Sequence, residues 1–101
     1  MTTAEKIKTI CDHYDEKLQK LVVCEELGEL IQEVSKSVRQ GNDYAVQKML
    51  QEIADVWIIL NELVYMNDIS VVDVNKMIDA KLDRQLKRIE DEREHNNQGH
   101  D

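Results

Sequence analysis

A chain of 101 residues with 42% apolar and 34% charged residues has the make-up of one soluble globular domain, not of a disordered segment. A formal net charge of −8 argues against nucleic-acid binding through a bulk positive field, so an anionic substrate needs bridging cations or a local basic patch. With no Pro, no Phe and three Gly, little interrupts helices, and the expected fold is all-α.

No apolar run approaches the length of a membrane span, and Met1-Thr2-Thr3-Ala4-Glu5-Lys6 has no apolar stretch behind it. The expected setting is the cytoplasm, with no membrane contact. The first helix is expected from about Ala4 to Tyr14, with Ile7, Ile10, Cys11 and Tyr14 at helical spacing. Cys11 and Cys24 are too few for a disulfide framework and lack zinc-ligand spacing. They read as reduced thiols, with Cys24 in a helix and partly buried.

The second helix covers roughly residues 16–39, with Val23, Leu27, Leu30, Ile31, Val34 and Val38 on one face. Gly41-Asn42-Asp43 is the clearest break, since Gly suits a helix C-terminus and Asn or Asp caps the next N-terminus. The third helix runs from about Tyr44 to Met66, and its segment from Ile53 to Tyr65, the most apolar in the chain, belongs at the core. Ser70-Val71-Val72-Asp73 resembles a capping box and opens a fourth helix from Val71 to about Glu94. Residues 95–101 read as a frayed polar tail. His13, His95 and His100 read as surface residues.

The acids of the second and third helices stand out. At about 100° per residue, Glu26 and Glu29 lie about 60° apart on the flank of the apolar arc, with Glu33 between them. The third helix has an apolar arc of Ala45, Met49, Ile53, Val56, Leu60 and Leu63, with Ile59 at its edge. Glu52 projects inside that arc, and Asp55 at its margin. A carboxylate on an apolar stripe is costly unless it is paired or binds metal. At an effective dielectric of about 20, two carboxylates roughly 5 Å apart repel by about 3 kcal/mol. Four together need cations, a basic partner or raised pKa values. Oxygen-only ligands favour Mg²⁺ or Mn²⁺ over zinc. The spacing alone leaves two readings open, a metal site and ordinary surface acids.

Glu25-Glu26-Leu27-Gly28-Glu29 followed by Glu52-Ile53-Ala54-Asp55 resembles the EExxE…ExxD motif of the MazG-like, all-α nucleoside triphosphate pyrophosphohydrolases. The similarity spans the second to fourth helices. It implies a four- to five-helix bundle completed by oligomerisation, as a homodimer or homotetramer. It also implies Mg²⁺-dependent hydrolysis of a nucleoside triphosphate to the monophosphate and pyrophosphate, as in cleansing of the nucleotide pool. By position, Glu26, Glu29, Glu52 and Asp55 carry over as metal ligands, and Glu25 as an accessory residue at most. Relatives bind phosphates through a pattern like K-x-x-x-N-x-x-R, which Lys81, Gln85 and Arg88 occupy here, with Arg84 added. Gln85 replaces the Asn of that pattern, and Ile59 stands where some relatives have Tyr, so sugar and base contacts are expected to differ.

The basic residues also stand out without the resemblance. Lys81, Arg84 and Arg88 fall within about 60° of one another, beside the arc of Val74, Ile78, Leu82, Leu86 and Ile89. In an acidic chain such a stripe suits a phosphate clamp, and the alternative is pairing along the helix, such as Lys87 with Asp91. Trp57 and Tyr44 are candidates for base stacking, although Trp57 falls on the apolar side, where core or subunit packing is the simpler role. Ile58 and Tyr65 lie on the opposite side of the third helix, which suggests two covers, the second a partner subunit. Two other functions compete: a non-catalytic helical interaction module, and hydrolysis of another pyrophosphate such as phosphoribosyl-ATP.

Overall fold

The structure is a computed structural model that describes residues 1–98. Among these residues the protein is all-α, with four helices and no strand: α1 (Thr3–His13), α2 (Glu16–Gln40), α3 (Asp43–Met66) and α4 (Val71–Gln98). No helix is long and apolar enough to cross a membrane among the described residues. α4 extends past Glu94, so residues 95–98 are helical; the rest of the expected tail, His100 included, lies outside the described residues. The chain divides into two compact units, Met1–Asp68 and one beginning at Ile69.

Local chemistry sets each boundary. Thr2 and Glu5 form a reciprocal capping box at the start of α1, the Thr2 hydroxyl accepting the Glu5 N–H at 3.1 Å and the Glu5 carboxylate accepting the Thr2 N–H at 3.3 Å. Asp15 breaks α1 from α2 and accepts the Lys17 N–H at 3.0 Å. Gly41 closes α2 in the left-handed region at φ 59°, donating its N–H to the Ser37 carbonyl at 2.9 Å. Asn42 caps α3 through its side-chain oxygen, 2.9 Å from the Ala45 nitrogen. α4 starts after Ser70, whose carbonyl takes the Val74 N–H at 3.1 Å. Among the described residues no side-chain hydrogen bond closes a box between Ser70 and Asp73.

In the first unit, α2 and α3 pack along each other as an antiparallel hairpin, and α1 rests on α3. The seam centres on Val23, Val56 and Ile59, flanked by Leu30 and Leu63. This corrects the arcs expected from sequence. Leu27, Ile31, Val34 and Val38 on α2, and Ile53 and Leu60 on α3, are exposed, and Ile59 is a centre of the core instead of its edge. On α2 the seam is turned about a quarter of a helix circumference from the densest apolar arc, and on α3 by a smaller angle, with Ala45, Met49, Val56 and Leu63 still shielded. Cys24 is exposed, not partly buried, because it lies on that outer side, whereas Cys11 is buried on the inner face of α1.

Candidate metal centre

Turning the seam this way brings acids into it. α2 presents Val23, Glu26, Leu30 and Glu33 toward α3, which presents Met49, Glu52, Val56 and Ile59 in return; these positions recur every three or four residues and are the ones shielded from solvent. Glu26 and Glu52 are therefore half-buried, facing each other from antiparallel helices. Asp55, one turn after Glu52, and Glu29, one turn after Glu26, are exposed where the seam opens to solvent.

Glu26, Glu52 and Asp55 each offer an oxygen, and the three oxygens lie within 4.8 Å of one another. Of three ligands on one octahedral Mg²⁺ at about 2.1 Å, at most one pair is opposite, about 4.2 Å apart, and the rest are adjacent, about 3.0 Å apart, so the three carboxylates have to draw inward to close on an ion. One oxygen of Glu26 and one of Glu52 are inaccessible and meet no hydrogen-bond donor. Buried carboxylate oxygens without a partner are rare, because each forfeits hydration for nothing. Among the described residues the ion pairs are Lys8–Asp12, Lys20–Glu16 and Lys36–Glu33, so no Lys or Arg neutralises the three acids.

Electrostatics agree with the geometry. Burial raises the Glu26 carboxyl above its ordinary pKa, and the charges of Glu29, Asp55 and Glu52 push it further. Burial likewise raises Glu52, followed by Glu29 and Asp55, with a smaller push from Glu33. The Glu29 carboxylate lies near enough to both Glu26 and Glu52 to raise them. The donor set is all oxygen, acidic and uncompensated, which suits a hard divalent cation.

Four of the acids singled out from sequence thus gather on one hairpin, three as a converging set and Glu29 beside it. Glu25 is exposed on α2, off the seam. Sequence reasoning passed over Glu62, which is 3% exposed and accepts a hydrogen bond from the Gln19 side-chain nitrogen at 2.7 Å. The signal was its position three residues after Ile59 and four before Met66, on the side of α3 where α1 rests. Lys81, Arg84, Gln85 and Arg88 are exposed on α4, and that helix carries no ion pair among the described residues, Lys87–Asp91 included. Trp57 is 70% exposed, so it is no part of the core of this chain. No family model matches the chain, and neither the curated proteins nor the solved structures yield a match.

Proposed function

We propose that the protein is a Mg²⁺-dependent nucleoside triphosphate pyrophosphohydrolase, converting an NTP or dNTP to the monophosphate and pyrophosphate. The observation that carries the reading is the convergence of Glu26, Glu52 and Asp55, with two buried, partnerless oxygens and, among the described residues, no ion pair to a Lys or Arg. The substrate class follows from the similarity of the two acidic segments to the MazG-like motif.

In this reading Glu26, Glu52 and Asp55 hold the cation, and Glu29 completes the set from the rim. When bound, Mg²⁺ or a substituting Mn²⁺ neutralises phosphate charge and acidifies water. One of the motif glutamates positions the attacking water and accepts its proton. The water oxygen bonds to phosphorus at the α–β anhydride while the bridging P–O bond breaks, and the electron pair leaves on pyrophosphate. The resemblance assigns phosphate contacts to Lys81, Arg84, Gln85 and Arg88 of α4. Glu25 stays accessory. We assign the enzyme to the cytoplasm as a homodimer or homotetramer.

A panel of standard, deoxy and modified nucleoside triphosphates, assayed for pyrophosphate release with and without Mg²⁺, tests the reading. Cation-dependent release from at least one is expected, with monophosphate as co-product. No release from any would leave an interaction module as the better account.

A further inference from the structure

The two ends of the acidic seam differ in charge. Between Lys20 and Lys76 the chain has only three cations, Lys36, Arg39 and Lys48, and all three flank the α2–α3 turn. Lys48 lies four residues before Glu52 and seven before Asp55, so the three share one face of α3. Lys36 lies seven residues after Glu29 on α2, so it rises on the same open side of the hairpin. Lys36 pairs loosely with the shielded Glu33, at 3.5 Å. Lys48 makes no ion pair with Glu52 despite its i,i+4 position; its ammonium sits over the exposed Tyr44 ring, 5.5 Å from the centroid.

The other end of the seam is acidic and closed. Glu62 is buried there with Gln19, and Asp12, Glu16 and Asp68 line one hollow beside Tyr65. Two of the cations at that end are committed, Lys8 to Asp12 at 2.8 Å and Lys20 to Glu16 at 3.1 Å, and Lys17 lies next to Glu16 at the start of α2. A polyphosphate entering the site meets repulsion toward α1 and attraction toward the turn. About 6 Å of axial rise separates Lys48 from Glu52, a gap that one phosphate group bridges.

We infer that the phosphate chain of the substrate runs from the carboxylates toward the α2–α3 turn, where Lys48, assisted by Lys36, receives its distal phosphates. This rests on the hydrolase reading above and adds a phosphate subsite within the first unit.

Kinetics with the best nucleotide of the panel, together with inhibition by inorganic tripolyphosphate, test the subsite in the full-length protein with Mg²⁺ present. Lys48→Gln is expected to raise KM and weaken tripolyphosphate inhibition by roughly ten- to a hundredfold, the scale of one charge-assisted contact. Lys48→Arg should restore most of both, and Mg²⁺ binding by calorimetry should stay as in the wild type. If Lys48→Gln and Lys36→Gln both leave KM and inhibition unchanged while the wild type turns over, the subsite is refuted and the hydrolase stands. A wild type that releases no pyrophosphate from any nucleotide overturns the hydrolase and this subsite together.

Discussion

Glu26 and Glu52 face each other across a seam whose other members, Glu33 apart, are apolar, and the mutual repulsion of these acids has to be offset by something the polypeptide does not provide. The consequence is a stability that depends on cations and pH. Raised carboxyl pKa values mean that the folded state holds protons which the unfolded chain has already released, so stability falls as pH rises through that window. The window opens at the ordinary glutamate value, about 4.3, and extends upward. Asp12 acts oppositely: its hydrogen bond with Lys8 lowers its pKa, so its contribution is lost only below the ordinary aspartate value, about 3.9. Metal-free protein should therefore melt at a higher temperature near pH 5 than near pH 8. Mg²⁺ should raise the melting temperature at pH 8 and have little effect at pH 5. Scanning calorimetry in chelator-treated buffer decides the sign; a metal-free melting temperature that climbs steadily with pH would show that the acids are not crowded. Glu52→Gln and Asp55→Asn should each lower Mg²⁺-dependent turnover at least a hundredfold. Glu52→Gln should also raise the metal-free melting temperature by a few degrees, since it removes one charge from the crowd. A variant that is both inactive and less stable without metal would indicate ordinary structural damage. Glu52 was legible in the sequence because it interrupts an apolar arc. Glu62 was not, because the arc it belongs to exists only once α1 is laid on α3.

Among the helices, capping residues were the most readable feature. Gly41 and Asn42 announced the α2–α3 turn from their types alone, because a left-handed C-terminal residue and a side-chain acceptor are local requirements. The facing of α2 and α3 was less readable. Both helices are apolar over more than half their circumference, so phase gives an arc but not the part of it that meets a neighbour. The two glycines flanking these choices give opposite expectations. At Gly41, φ of 59° makes Gly41→Ala destabilising by about 1 kcal/mol. Gly28 lies within α2 with open space around the position a Cβ would take, so Gly28→Ala should stabilise by roughly 0.5–1 kcal/mol. Urea unfolding of both variants measures the difference. Equal shifts of one sign would mean that the turn geometry or the helical setting of Gly28 is wrong.

At the scale of the molecule, the turned seam has a second consequence. The side of the hairpin away from Glu29 and Asp55 carries Leu27, Ile31 and Val34 from α2 and Ile53, Trp57 and Leu60 from α3, all exposed. Each residue of the α2 set has a counterpart on α3 at the same spacing from its motif acids, so the face is nearly self-matching about the hairpin's own pseudo-twofold. Such a surface suits an isologous contact with a second copy, since the same patch then serves both partners. Fully burying a large aliphatic or aromatic side chain is worth about 1.5–3 kcal/mol. Six half-exposed ones on each side can outweigh the loss of translational and rotational freedom on association. The expected result is a dimer or larger assembly at micromolar concentration in analytical ultracentrifugation, converted to monomer by Ile31→Glu. Trp57 is the only tryptophan in the chain and reports directly on the cover. Its emission should be blue-shifted in the assembly and move to the red on dilution through the dissociation range, with Ile31→Glu red-shifted at every concentration. A monomeric wild type whose emission does not change with dilution would rule out self-association through this face, while leaving the carboxylate site on the opposite side of the hairpin as it stands.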